Sequence, residues 1–231
     1  MNGPVLALDS STLGGSVAVG VDGCVVAERV LPNRAGASGT LLPNADEALR
    51  AAGLAPGDVA ALVVGGGPGS FTGLRIAAAT AKAVVRVRGV PLFAFSGLMG
   101  AAAARREDGR AVCALFDARN REVYAGCWRF GAGVEEAMAI EALALDELIE
   151  RFRDDPPLFT GEGAWMHRDV LAAAFGPEAV APEEGPSIAA GLLWLAGAVP
   201  ERGRVADVAG WEPDYVRSSG AERIAAQGRV R

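Results

Sequence analysis

At 231 residues and 51% hydrophobic, the chain can bury a sizeable core and make one large domain or two small ones. Its net charge of −6 disfavours unaided binding to a phosphate backbone, and a single histidine, His167, excludes a histidine metal cluster and leaves no nucleophile–histidine pair for a peptidase. Cys24, Cys113 and Cys127 are odd in number, show no Cys-x-x-Cys spacing and read as small buried hydrophobes.

In chain order, Val5 to Asp9 is a short apolar strand ending on an acid, Ser10 to Gly15 a polar turn, and Ser16 to Val21 the returning strand. No basic flank precedes the first apolar run, so no signal peptide is expected. Asp22-Gly23 signals a two-residue hairpin into a third strand, Cys24 to Leu31. A loop over 32–39 leads to a helix capped at Thr40 or Asn44, reaching Ala52 and stopped by Gly53. Val59 to Val64 reads as a buried strand, Ile76 to Arg88 as a helix, Val90 to Phe95 as a strand and Ser96 to Arg106 as a helix.

Between strand and long helix stands Gly65-Gly66-Gly67-Pro68-Gly69-Ser70-Phe71-Thr72-Gly73-Leu74-Arg75. Glycines let the backbone approach another group closely, and Ser70 or Thr72 can cap a helix whose free N–H groups attract anions. The plain alternative is a tight turn. A Walker loop is out, because Leu74 follows Gly73 and Lys82 is the only lysine. A dinucleotide fingerprint would need glycine where Thr72 stands, and Ser70 lacks the Gly-x-Ser-x-Gly frame of a hydrolase elbow.

Projected at 100° per residue, Arg75, Lys82 and Arg86 share one stripe and nearly all the rest of this helix is apolar. Such a helix needs cover on more than one side. Alanines at 77, 78, 81 and 83 admit a second helix at the short end of the usual spacing, from this chain or another. Arginine at Ala78 or Ala81 is expected to break such a complex and leave the fold intact.

After the polar break 107–110 the opening order recurs. Val112 to Asp117 is a strand ending on an acid, 118–121 a turn and Val123 to Phe130 the return; Leu158 to Thr160 leads through Gly161-Glu162-Gly163 into a helix from Trp165 to Phe175. The late apolar run Ile188 to Val199 is too short to span a bilayer, so a soluble cytoplasmic protein without membrane contact is expected. The duplicated order points to an α/β chain of actin-like ATPase (ASKHA) fold, two small β-sheet domains flanked by helices, at 1–107 and 108–231, with the last segment packing back on the first domain. In that architecture Asp9 and Asp117 face each other across a cleft near a metal; each is otherwise an ordinary turn-former.

Leu6-Ala7-Leu8-Asp9-Ser10-Ser11-Thr12, Gly67-Pro68-Gly69-Ser70-Phe71-Thr72-Gly73-Leu74-Arg75, Asp117-Ala118-Arg119 with Glu122-Val123-Tyr124, and Glu212-Pro213-Asp214-Tyr215-Val216-Arg217 together resemble the bacterial TsaB (YeaZ) family. The resemblance implies a non-catalytic subunit for N6-threonylcarbamoyladenosine modification of ANN-decoding tRNAs. Its partners would be the catalytic paralogue TsaD and the ATPase TsaE, with tRNA met only through the complex. It implies no intrinsic cofactor or metal, and ATP or ADP with Mg²⁺ only at the level of the complex. Asp9, Ser10, Ser11, Thr12, Gly67, Gly69, Ser70, Thr72, Gly73 and Asp117 are the candidate nucleotide or phosphate loops. The helices over 40–52 and 72–88 would pair with TsaD, or with a second copy when alone, through Leu41, Leu42, Ala45, Leu49, Arg75, Ala78, Ala81, Lys82 and Val85. No histidine stands in 36–43, where TsaD-like chains carry His-x-x-x-His, and Ala37 replaces a histidine common in TsaB-like chains. The alternative is an independent ATP-hydrolysing or kinase-like enzyme using Asp9 and Asp117 with Mg²⁺.

Overall fold

Strand β1 (Val5–Asp9) is buried at every position and sits at the centre of a five-stranded sheet, which explains its unbroken apolar run. The computed structural model describes residues 3–12, 14–31, 41–118 and 122–215. In this first sheet β2 (Ser16–Val21) runs antiparallel to β1, and β3 (Cys24–Val30) antiparallel to β2. Asp22 and Gly23, both at positive φ, make the hairpin turn between them. On the other side of β1, β4 (Ala61–Gly65) and β5 (Leu92–Phe95) run parallel, giving the order β3-β2-β1-β4-β5. Helix α1 (Leu41–Ala51) precedes β4, and α2 (Phe71–Arg88) crosses from β4 to β5.

Helix α3 (Gly97–Ala103) and a short 3₁₀ turn at Arg106–Asp108 carry the chain to a second sheet. There β6 (Val112–Asp117), β7 (Glu122–Phe130) and β8 (Val134–Ala144) are antiparallel, and β9 (Leu158–Thr160) runs parallel to β6, in the order β8-β7-β6-β9. Val180 makes one parallel bridge to Phe159, and the Ala181 N–H donates to the Phe159 carbonyl at 2.8 Å. The second sheet therefore repeats the first, with its fifth strand reduced to a bridge. This is the duplicated actin-like ATPase fold. The remaining helices are α4 (Leu145–Arg151), α5 (Glu162–Met166), α6 (Arg168–Phe175), α7 (Ile188–Ala198) and α8 (Pro200–Gly203).

Helix α7 follows the second sheet in sequence but packs with α3 between the two sheets, sharing a core with Val5, Ala7, Ala18 and Val63. A Cβ at Gly191 would overlap the Gly100 carbonyl oxygen, so glycine sets how closely these helices approach. Among the described residues no helix is long and apolar enough to cross a membrane. Beyond α8 the chain lies along the first sheet. Arg204 bridges Phe93, the Val205 N–H donates to the Leu92 carbonyl at 3.0 Å, and Lys82 Nζ reaches the Ala209 carbonyl at 3.2 Å and Glu212 at 3.3 Å.

Several expectations need correction. Cys24 is exposed, because β3 is an edge strand. Asn44 lies within α1 instead of capping it, and Thr72 lies in the first turn of α2, whose cap is Ser70. The helix expected from Trp165 to Phe175 is two, broken at His167. The loop 32–39, with Ala37, the Thr40 cap, the turn residues 119–121 and the tail beyond Tyr215 lie outside the described residues.

The largest correction concerns the proposed partner face. Leu41, Ala45, Leu49, Ala78, Ala81 and Val85 are all buried within this chain, most of them in one core cluster with Leu8, Leu62 and Val64. The helix is covered by β1, β4 and β5 of its own sheet on more of its circumference than the projection suggested. Leu42 and Arg75 stay exposed, and Lys82 is held by the returning chain. The open side of α2 is Ala79, Ala83, Arg86 and Val87, the last 84% exposed. Ala81→Arg should therefore destabilise the fold itself by about 3 kcal/mol or more, through overpacking and an unpaired buried charge. Ala79→Arg should stay within about 0.5 kcal/mol of the parent; urea unfolding of both variants checks the contrast.

Candidate functional site at the junction of two turns

Asp9 ends β1 and has no exposed surface. Ser11 holds it twice: its Oγ donates to Asp9 Oδ1 at 2.8 Å and its N–H to Oδ2 at 3.3 Å. Gly65, at the end of β4, leaves the only kind of space the carboxylate fits, since a Cβ there would overlap Oδ1. Burial pushes the carboxyl up from 3.8 to about 6, the Ser11 hydrogen bonds pull the other way, and the nearby charge of Glu162 raises it further. Glu162 opens α5, in the glycine turn of the second half. Asp117, by contrast, stands exposed at the end of β6. The symmetrical pair of aspartates facing a metal is not what the structure builds: one is sealed and the other is at the surface.

The glycine turn seals it. The Ser70 N–H donates to the Ser11 carbonyl at 2.7 Å, and Ser10 Oγ donates to the Gly73 carbonyl at 2.7 Å. A Cβ at Gly69 would overlap the Ser11 carbonyl oxygen, and one at Gly73 the Ser10 carbonyl oxygen. Gly67, at φ +115°, lies equally close to the Asp214 carbonyl, while the Asp214 N–H donates to the Gly66 carbonyl at 2.7 Å. Ser70 caps α2 through a 3.3 Å bond from the Gly73 N–H. The glycines are thus needed for approach to this chain's own backbone. At Gly67, Gly69 and Gly73 carbonyl oxygens of Asp214, Ser11 and Ser10 occupy the space a side chain would need, and the Asp9 carboxylate is fully enclosed. Among the described residues no group of three or more histidine, cysteine or acidic side chains could hold a metal.

A cleft of about 370 Å³ remains between the two halves, lined by Thr12, Ser16, Arg105, Glu162, Glu183 and Ser187 among others. Ser16 Oγ accepts from the Ala189 N–H at 3.0 Å and Ser187 Oγ from the Ala190 N–H at 3.2 Å, so both hydroxyls serve to fix the start of α7. Arg105 donates to the Pro182 and Glu184 carbonyls at 2.9 and 3.2 Å and ties down the loop before α7. On the outer side of the glycine turn Phe71 carries the Arg75 guanidinium 4.0 Å above its ring and packs on Tyr215 at 5.3 Å.

Sequence reading missed Glu162, whose signal was its place in the second glycine turn, and Asp214, whose approach to Gly67 has no local signal at all.

A TsaD family model, described as tRNA N6-adenosine threonylcarbamoyltransferase, matches residues 30–182. The solved structure of YeaZ from Pseudomonas aeruginosa is 30% identical, covers 93% of this chain and 100% of its own, and superposes with a TM-score of 0.72. The chain belongs to the TsaB (YeaZ) family. The tRNA threonylcarbamoyladenosine biosynthesis protein TsaB of Bacillus subtilis is 29% identical over 224 residues, 94% of this chain and 96% of that protein. TsaB of Escherichia coli is 35% identical over 148 residues, 63% of this chain and 64% of its own length. The TsaB-type motif Gly67 to Arg75 is therefore, in this chain, the seal over Asp9.

Two outcomes follow. Gly73→Ala should destabilise the fold by about 3 kcal/mol, because rigid backbone has to give way; thermal unfolding measures it. Since folding raises the Asp9 pKa, its contribution is complete below about 3.8 and is lost as pH rises through about 6. A shift of this size is worth ~3 kcal/mol. Asp9→Asn should accordingly gain stability relative to the parent as pH goes from 4 to 7 (roughly the window between the two pKa values), and a difference that stays flat in urea titrations across that range would contradict the burial argument.

Proposed function

We propose that this chain is a non-catalytic subunit of the machinery that makes N6-threonylcarbamoyladenosine in tRNA. It pairs with a catalytic TsaD-type paralogue, works with a TsaE-type ATPase, and meets tRNA and the nucleotide–Mg²⁺ pair only through that complex. The observation that carries this reading is the closed glycine turn: the fold's phosphate-facing loop is filled by Ser10, Ser11 and Asp214, while the outer side of α2 stays open. The B. subtilis relative, a tRNA threonylcarbamoyladenosine biosynthesis protein, supports the pathway. The contact face is the exposed side of α2, from Arg75 through Ala79 and Ala83 to Val87, with Leu42 of α1; a second copy of the chain would use the same face when the partner is absent.

The test is reconstitution of tRNA modification from TsaD-type and TsaE-type proteins and a threonylcarbamoyl-adenylate source, with and without this chain. Modification should collapse without it and return on its addition; full modification in its absence would overturn the reading. Ala79→Arg should weaken binding to the TsaD-type partner by at least ~10-fold, as a long charged side chain does in a close helix contact. Nucleotide hydrolysis by the isolated chain that disappears in Asp9→Asn would instead favour an independent ATPase.

A further inference from the structure

We propose that Cys113 and Cys127 form a dithiol site that a hydroperoxide converts to a cross-strand disulfide within the second sheet. The two residues are direct partners across the antiparallel β6–β7 ladder. The Ala118 N–H donates to the Glu122 carbonyl at 3.0 Å, which makes 118 and 122 a hydrogen-bonded pair in the same register. Hydrogen-bonded and non-hydrogen-bonded pairs alternate along such a ladder, so counting back puts Cys113 and Cys127 in a non-hydrogen-bonded pair, where Cα atoms lie ~4.5 Å apart and side chains are closest. That separation is inside the range of ~4.4–6.8 Å that a disulfide spans. Both side chains belong to one core cluster, with Leu115, Val123 and Phe159.

The two sulfurs are not equivalent. The Cys113 hydrogen bond pulls Cys127 below the ordinary thiol range, overcoming the opposing effect of burial and helped by Arg129, while burial pushes Cys113 up. Cys127 is thus assigned as the sulfur that attacks first. Its Sγ takes an oxygen of the peroxide, the O–O bond breaks, and the departing hydroxide leaves as water once protonated. The Cys113 Sγ then attacks the Cys127 sulfur, the S–O bond breaks, and the Cys113 proton leaves with the hydroxide as a second water. Two thiols are oxidised by one bond each and one peroxide is reduced. Although both side chains are buried, the β7–β8 ladder shifts register on either side of Cys127, which loosens the strand cover where the oxidant must enter.

The experiment uses the full chain as Cys24→Ser, which removes the exposed thiol. Hydrogen peroxide added under native conditions should lower the intact mass by two hydrogens, remove both thiols titratable after denaturation, and raise the thermal midpoint by about 5–10 °C, all reversed by dithiothreitol. Mass gains of one or two oxygens without thiol linkage, or linkage only in urea, would overturn the proposal. So would a midpoint that falls on oxidation, since a disulfide formed without strain stabilises.

Discussion

Two stretches of backbone touch at the centre of this molecule with no side chain between them. Ser10 and Ser11, in the turn after β1, lie against Gly69 to Gly73 at the start of α2, joined by the Ser70 N–H to Ser11 carbonyl and Ser10 hydroxyl to Gly73 carbonyl bonds. Only glycine permits this approach, because a Cβ at either position would occupy the place of a carbonyl oxygen. The contact welds the first turn to the long helix and shuts Asp9 away from water, and the raised pKa of that carboxyl is the electrostatic consequence. An anion-binding loop and a loop packed on another loop draw on the same residue types, since both require a bare backbone to come close to something.

With its first turn pinned in this way, α2 has its faces assigned. Ala77, Ala81 and Val85 go into the core, Lys82 reaches sideways to the returning chain at Ala209 and Glu212, and Ala79, Ala83 and Val87 are left facing outward. The returning chain also supplies Asp214 to the outside of the glycine turn and Tyr215 to Phe71. The open face of α2 and the closed glycine turn thus follow from one arrangement.

Much of the architecture was legible because it rests on short-range pattern. Strand, aspartate, turn and return strand occur twice, and the two sheets do share one strand order. Legibility stopped where residue type and environment disagree. Strand β8 carries alanines, glutamates and a methionine that favour helix in isolation, and pairing with β7 overrides that preference. The second half's glycine turn was visible, but not that its Glu162 would be the acid near Asp9. Asp117 looked equivalent to Asp9 from its place at a strand end, yet one is buried and the other exposed: the first glycine turn closes on Ser10 and Ser11 just past Asp9, while the second lies against Leu115, short of Asp117.

The sequence by itself determined the period and order of the elements, the positions where backbone must pass without a side chain, and the family to which the motifs belong. Tertiary structure alone decided what each of those positions faces: that Gly67 meets Asp214, that Ala81 is covered by this chain and Ala79 is not, and that Cys113 lies opposite Cys127. Periodicity and turn chemistry act over a few residues and are written in the local order of side chains. Cover on a face comes from segments tens to more than a hundred residues away, and the choice among equally apolar faces is made only when those segments pack.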